Sequence, residues 1–144
     1  MNDEKLKLLE EWQKRLGLQD WSIVLRYNCL QEDLELEEAS AETHWQTSIK
    51  SAMIYIVSEE TYGKRMLPFD FEKTLVHELL HLKFSIIDIS NKNYESAVLD
   101  LIHHQLVDDL ARALVMAKRG ETERKIDVEK IIDFNTKRSE INEK

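Results

Sequence analysis

The sequence predicts an α+β domain, because segments with the period of a β-strand come first and segments with the period of an α-helix follow. Apolar and polar residues alternate within residues 21–57, whereas apolar residues recur at helical spacing after Pro68. We expect a small, mostly antiparallel sheet packed on an N-terminal helix, followed by a buried helix and a long last helix. The 144 residues suffice for one such domain, which we assign to residues 1–120, with a charged, partly helical C-terminal extension over residues 121–144.

The first two elements are a helix and a strand. The helix is predicted over residues 3–16 and ends at Gly17, because four apolar residues recur at helical spacing: Leu6, Leu9, Trp12 and Leu16. The stretch "WSIVLRY", residues 21–27, alternates as a half-buried strand does. Residues 29–38 are acidic and fit either a loop or an edge strand.

Two further strands are predicted within residues 40–57, "SAETHWQTSIKSAMIYIV". A turn is expected near Lys50, between the two strands. The second strand, "SAMIYIV", is apolar on both faces, so we expect it to lie inside the sheet.

The helical half begins after Pro68. Asp70 is a suitable N-cap for a helix over residues 71–86, which is apolar nearly all round and is therefore expected to be buried. The stretch "NKN" at 91–93 breaks the chain. A long helix is predicted from about Tyr94 to Lys118, ended by Gly120.

Composition excludes several classes of partner. A formal net charge of -8 argues against a nucleic-acid-binding protein, and no apolar run has the length of a membrane span.

Cys29 is the only cysteine, so no internal disulfide can form, and a lone thiol fits a reducing compartment. The N-terminus is too charged for a secretory signal, so we expect a cytoplasmic protein. The sequence leaves the oligomeric state open.

The stretch "TLVHELLHLKF" inside the buried helix carries the sharpest chemical signal. His77 and His81 lie four residues apart and therefore share one helical face, where both imidazoles can bind one metal ion. Glu78 lies about 100° further around the helix, within reach of a water molecule on that metal. A carboxylate in so apolar a helix needs a reason to be there, because burial without a partner is costly. The sequence predicts a zinc site with Glu78 as its catalytic base.

A catalytic zinc needs a third protein ligand, which we expect on the long helix, because the break at 91–93 returns the chain antiparallel to the buried helix. The candidates there are Glu95, Asp100, His103, His104, Asp108 and Asp109. The main apolar stripe of this helix is predicted to be Leu99, Ile102, Leu106, Leu110, Ala113 and Ala117, with His103 at its border. A second line holds His104 with Ala97, Leu101, Asp108, Ala111 and Val115, whose small members permit close packing. Periodicity favours His104 only weakly over His103.

"TLVHELLHLKF", followed by "HQLVDDLARALV" on the long helix, resembles the small zinc metallopeptidases encoded by phages and prophages. These belong to the zincin tribe, which includes minimal SprT-like and ImmA-like domains, and the resemblance covers roughly residues 20–118. It implies a zincin-like metalloprotease fold. Many such sequences carry a glutamate ligand where this chain has His104. We therefore rank His104 first as third ligand, with His103 second and Glu95 third; Asp100 and Asp108 are candidates for orienting its other ring nitrogen.

The expected function is hydrolysis of peptide bonds in a protein or peptide through a zinc-activated water, with Glu78 as general base. The resemblance also implies that an edge strand beside the zinc pairs with the substrate, either around Ala41–Thr47 or around Ala52–Val57. Tyr62, Tyr94 and His103 are conceivable extra electrophiles. If phage-encoded, the protein would act in the host cytoplasm. The alternative is a zinc-binding regulatory or protein-interaction module of the same fold without significant turnover.

Overall fold

The computed structural model describes residues 3–90 and 97–120 of the chain, so the predicted extension over residues 121–144 and the break at 91–93 lie outside the described part. The fold is α+β, as the sequence predicts. Its helices and strands are α1 (Asp3–Arg15), β1 (Ser22–Cys29), β2 (Ala41–Gln46), β3 (Ser51–Val57), α2 (Glu59–Tyr62), α3 (Phe71–Ser90) and α4 (Ala97–Arg119).

The three strands form one mixed sheet in the order β1-β3-β2. β2 and β3 are antiparallel and are joined by the turn at Thr47–Ile49, where Lys50 adopts a left-handed backbone conformation with φ of 48°. β1 and β3 are parallel, so the prediction of a mostly antiparallel sheet is wrong for one of the two pairings. The reason is that β3, apolar on both faces, takes the central position that its sequence predicts. β1 therefore pairs with β3 and not with β2. The acidic stretch after β1 is a loop with one short turn at Gln31–Asp33.

The core lies between one face of the sheet and α3. Alternate residues of β3 point into it and are buried, namely Ala52, Ile54 and Ile56. α3 contributes a second buried set, which consists of Leu75, Val76, Leu79, Leu80 and Leu82. The nearly continuous apolar surface of α3 is therefore explained by burial, with the sheet, α1 and α4 covering it.

The N-terminal end of α3 is held by three parts of the fold. Asp70 caps the helix, because its Oδ1 accepts a hydrogen bond of 3.1 Å from the backbone N–H of Lys73. Arg119 at the end of α4 donates to both carboxylate oxygens of Asp70, at 2.9 and 3.0 Å. Trp12 of α1 donates from Nε1 to Glu72 at 2.8 Å. These contacts tie the start of α3 to the end of α4 and to α1.

α4 packs on α3 through its line of small residues. The buried members of that line are Ala111 and Val115, and Val107, which the sequence did not assign to it, is buried beside them. The stripe predicted as the main core face is wrong in part, because the Ile102 and Leu106 side chains are 54% and 49% exposed. Small residues allow the two helix backbones to approach closely, and Ile102 and Leu106 stay exposed while Leu110 of the same stripe still packs against the core. Within residues 3–90 and 97–120, no helix combines the length and apolar character needed to cross a bilayer.

Candidate metal centre

Two helices bring three histidine rings together. His77 and His81 lie one turn apart on α3 with ring centroids separated by 5.0 Å. His104 enters from α4, with its ring centroid 4.8 Å from His77 and 5.7 Å from His81. One nitrogen from each ring can be chosen so that the three nitrogens lie within 4.8 Å of one another. The residue ranked first as third ligand is therefore the one that the fold brings to the pair.

The protonation of these rings favours metal binding. Burial, together with the neighbouring His77 and His104 rings, lowers the pKa of His81 to about 4. Burial and the same crowding of imidazoles lower the pKa of His77 below its ordinary value. Both rings are consequently neutral at neutral pH, which is the form that binds metals. Three imidazole nitrogens are a donor set that zinc accepts, so the residues present fit a zinc ion.

Asp108 holds one ring of the group in place. Its Oδ1 lies 3.4 Å from Nδ1 of His77 and 3.5 Å from Nζ of Lys73. A carboxylate beside Nδ1 favours the tautomer that carries its proton there, and this leaves Nε2 free for a metal. The sequence offered Asp108 as a partner for His104, whereas the structure places it beside His77.

Glu78 is buried beside the three rings, with 6% of its surface exposed. Thr43 of β2 donates a hydrogen bond of 2.5 Å from Oγ1 to Oε2 of Glu78. Burial raises the pKa of this carboxyl group to about 7, although the hydrogen bond from Thr43 works in the opposite direction. Glu42, also 6% exposed, has a pKa below its ordinary value, because its backbone hydrogen bond from Leu36 and its contact with His44 outweigh its burial. The two glutamates differ both in depth and in partners, because Glu78 faces the core with one hydrogen bond, whereas Glu42, on the other face of β2, accepts several hydrogen bonds and loses less of its hydration.

β2 lies along the metal centre. Its inward-facing residues include Thr43, which contacts Glu78, and Trp45, whose ring stacks on His81 at 6.4 Å between centroids and 8° between planes. The Trp45 side chain remains 37% exposed, so it forms part of the rim of the site. On the outward face of β2, the side chains of Glu35, Glu42 and His44 form a second group with metal-ligand spacing. In that group Glu42 already accepts a hydrogen bond from the backbone of Leu36.

A groove of about 410 Å³ opens beside His77, Glu78 and His104. Its apolar wall residues come from two loops and the start of β2, and they are Leu36, Ala39, Ala41, Leu67 and Pro68. Arg65 ties the two loops together by donating to the backbone oxygen of Glu38 at 2.8 Å. The groove therefore reaches the group of three rings from one side.

The remaining predicted site residues have the following positions. His103 is outside the three-ring group, with its ring centroid 5.9 Å from that of His81. Tyr62 donates its hydroxyl hydrogen to the backbone oxygen of Leu67, and it lines the groove. Glu95 and Tyr94 lie outside the described residues. The proposed strand around Ala52–Val57 is the central β3, so it has no free edge for a substrate.

The contact between Thr43 and Glu78 and the stacking of Trp45 on His81 were not predicted from the sequence. The signal that could have found both is the alternation along β2, which places Ala41, Thr43 and Trp45 on one face. A threonine between a buried alanine and an aromatic residue on an inward face is a polar group that needs a partner.

No protein-family model, curated protein or solved structure matches this chain.

Proposed function

We propose that the chain is a zinc-dependent metallopeptidase with a zincin-like fold, in which His77, His81 and His104 bind zinc and Glu78 acts as general base. The observation that carries this proposal is the convergence of three imidazole rings from two helices beside one buried carboxyl group. A structural zinc site has no use for a base, and it commonly closes with a fourth protein ligand. Glu78 beside an incomplete ligand set favours hydrolysis.

The residues have separate tasks in this reaction. When bound, zinc would supply the Lewis acidity that polarises a peptide carbonyl and acidifies a water molecule. Glu78 would take the proton from the attacking water and transfer it to the leaving amine. A pKa of about 7 suits a group that both accepts and releases a proton at neutral pH. Asp108 would hold the His77 ring in its binding orientation.

The expected substrate is a protein or peptide in an extended conformation. β2 pairs with β3 along one edge, and among residues 3–90 and 97–120 no strand pairs with its other edge. An extended chain can add to such an edge by backbone hydrogen bonds, which would lay it across the metal centre. The groove beside His77 would receive the part of the substrate on one side of the scissile bond. The net charge of -8 makes nucleic acid a poor partner.

The test compares the zinc-loaded wild type with Glu78→Gln on a mixture of fluorogenic peptides, with zinc content measured on the same samples. We expect Glu78→Gln to retain zinc while its kcat falls by about 10²- to 10⁴-fold, because only the proton-transfer group is lost. His44→Ala is the matched control, since His44 lies on the opposite face of β2 and is expected to leave hydrolysis unchanged. Equal hydrolysis by the wild type and Glu78→Gln would contradict the proposed mechanism.

A zinc-binding regulatory or protein-interaction module is the second candidate. The observation in its favour is a set of exposed apolar side chains on α4 near His104: Leu101, Ile102 and Leu106. This candidate predicts stoichiometric zinc with no hydrolysis by either the wild type or Glu78→Gln. Absence of zinc binding in the wild type would contradict both candidates.

A further inference from the structure

Thr43, on the edge strand β2, makes a hydrogen bond from its hydroxyl group to the buried carboxyl group of Glu78. Successive residues of β2 point to opposite faces of the sheet, so Thr43 points toward α3 while Glu42 and His44 point away. In this position Oγ1 of Thr43 lies 2.5 Å from Oε2 of Glu78. The antiparallel pairing of Thr43 with Ile54 fixes the height of this hydroxyl along α3, because Ile54 is fully buried in the core.

The direction of this hydrogen bond is set by its chemistry. A threonine hydroxyl has one hydrogen, and an ionised carboxylate can only accept, so Thr43 donates and Glu78 accepts. Within the described ranges, Thr43 supplies the one hydrogen bond to the Glu78 side chain. A carboxyl group held through one oxygen keeps its other oxygen, Oε1, available for a water molecule. Without the donor, a buried carboxylate would lose its fixed rotamer together with its hydrogen bond.

We propose that Thr43 is a positioning residue, which fixes Oε2 of Glu78 so that Oε1 faces the space between the three histidine rings. The effect of Thr43 on catalysis rests on the proposed function. The claim that Thr43 fixes the carboxyl group of Glu78 does not depend on it. Thr43 acts through Glu78, and in the part of the chain that the structure describes no hydrogen bond joins it to the three histidine rings. Its removal should therefore impair proton transfer and leave zinc binding intact.

Three substitutions in the full chain separate this role from a general role in packing. Thr43→Val keeps the shape of the side chain and removes the hydroxyl, whereas Thr43→Ser keeps the hydroxyl and removes the methyl group. Thr61→Val is the matched control, because it also removes a hydroxyl that makes a hydrogen bond, here of 2.8 Å with Ser58 at the start of α2. The measurements are kcat, KM and the dissociation constant for zinc alone.

We expect Thr43→Val to lower kcat by about 10- to 100-fold, which is the usual effect of removing an orienting partner. KM and the zinc dissociation constant should stay within about threefold of the wild type, and Thr43→Ser should restore kcat to within about threefold. A kcat for Thr43→Val equal to that of Thr61→Val would overturn the proposal. So would a Thr43→Ser variant as impaired as Thr43→Val, or a loss of zinc affinity in parallel with kcat.

A second measurement needs neither zinc nor activity. Urea unfolding of the metal-free protein at about pH 8 is compared for Thr43→Val, Glu78→Ala and the double variant. If Thr43 holds the carboxyl group, Thr43→Val lowers the urea midpoint in the wild type and lowers it less once Glu78 is replaced by alanine. Additive effects would overturn the inference by themselves. A wild type that hydrolyses nothing would instead refute the proposed function, and this comparison would still decide whether Thr43 fixes Glu78.

Discussion

Replacing Glu78 by glutamine should remove a loss of stability that the metal-free protein otherwise shows toward alkaline pH. Burial raises the pKa of Glu78 from 4.5 to about 7, so the folded protein binds a proton there more tightly than the unfolded chain does. The stability that this group contributes is fully present below pH 4.5 and is lost as the pH rises through 7. Glutamine does not titrate, so the variant should not show this loss. A change from 4.5 to about 7 corresponds to about 3 kcal/mol, at about 1.4 kcal/mol for each pKa unit.

The assay is urea unfolding in a zinc chelator, followed by circular dichroism from about pH 5 to about pH 8.5. The quantity to compare is the unfolding free energy of Glu78→Gln minus that of the wild type, in which the contributions of other titrating groups largely cancel. This difference should grow by about 2.5 kcal/mol between the lowest and the highest pH, because a part of the total change lies below pH 5. A difference in unfolding free energy that is the same at every pH would reflect the hydrogen bonds of the glutamine itself. Only the change of this difference with pH reports on the pKa of Glu78.

Glu42→Gln is the control for this experiment, because Glu42 exposes as little surface as Glu78 but has a lowered pKa. The stability that Glu42 contributes is present above its ordinary pKa and is lost as the pH falls, so its variant should show no gain toward alkaline pH. A difference for Glu78→Gln that stays constant or shrinks as the pH rises would refute the reasoning. It would mean that Glu78 is ionised without cost inside the fold.

Two further predictions concern the surroundings of the rings. Asp108→Ala should weaken zinc binding by about 10- to 100-fold in a competition titration, because the orienting contact to His77 is lost. Asp109→Ala is the control. It removes a pairing with Arg112 on the exposed side of α4 and should leave zinc affinity unchanged. Zinc binding should also change the fluorescence of Trp45, because the Trp45 ring stacks on His81. Trp45→Phe should remove that change in fluorescence. An undiminished change in Trp45→Phe would mean that another tryptophan responds to zinc.

The parts of the site that could be predicted from the sequence are those set by local geometry. The spacing of His77, Glu78 and His81 fixes their relative directions once the segment is a helix, and a helix was clear from its apolar period and its cap. The identity of the third ligand depends on which face of α4 meets α3. Periodicity pointed to the stripe with Ile102 and Leu106, but small residues allowed closer packing on the other face.

The contacts made by β2 depend on the order of the sheet. The alternation of its residues could be seen in the sequence, but which of the two faces turns toward α3 is decided by the pairing with β3. The parallel pairing of β1 with β3 is likewise a non-local feature, because strand order is not encoded in the period of any single strand. The alternation therefore groups Thr43 with Ala41 and Trp45, but the fold decides that this group faces Glu78.

The central claim is that His77, His81 and His104 together bind one zinc ion. Anomalous X-ray diffraction at the zinc absorption edge, from crystals of the zinc-loaded protein, tests this most directly. The account predicts one strong peak among the three rings, with each zinc–nitrogen distance at about 2.0–2.1 Å. A peak at Glu35, Glu42 and His44 instead, or three rings with no peak between them, would contradict it.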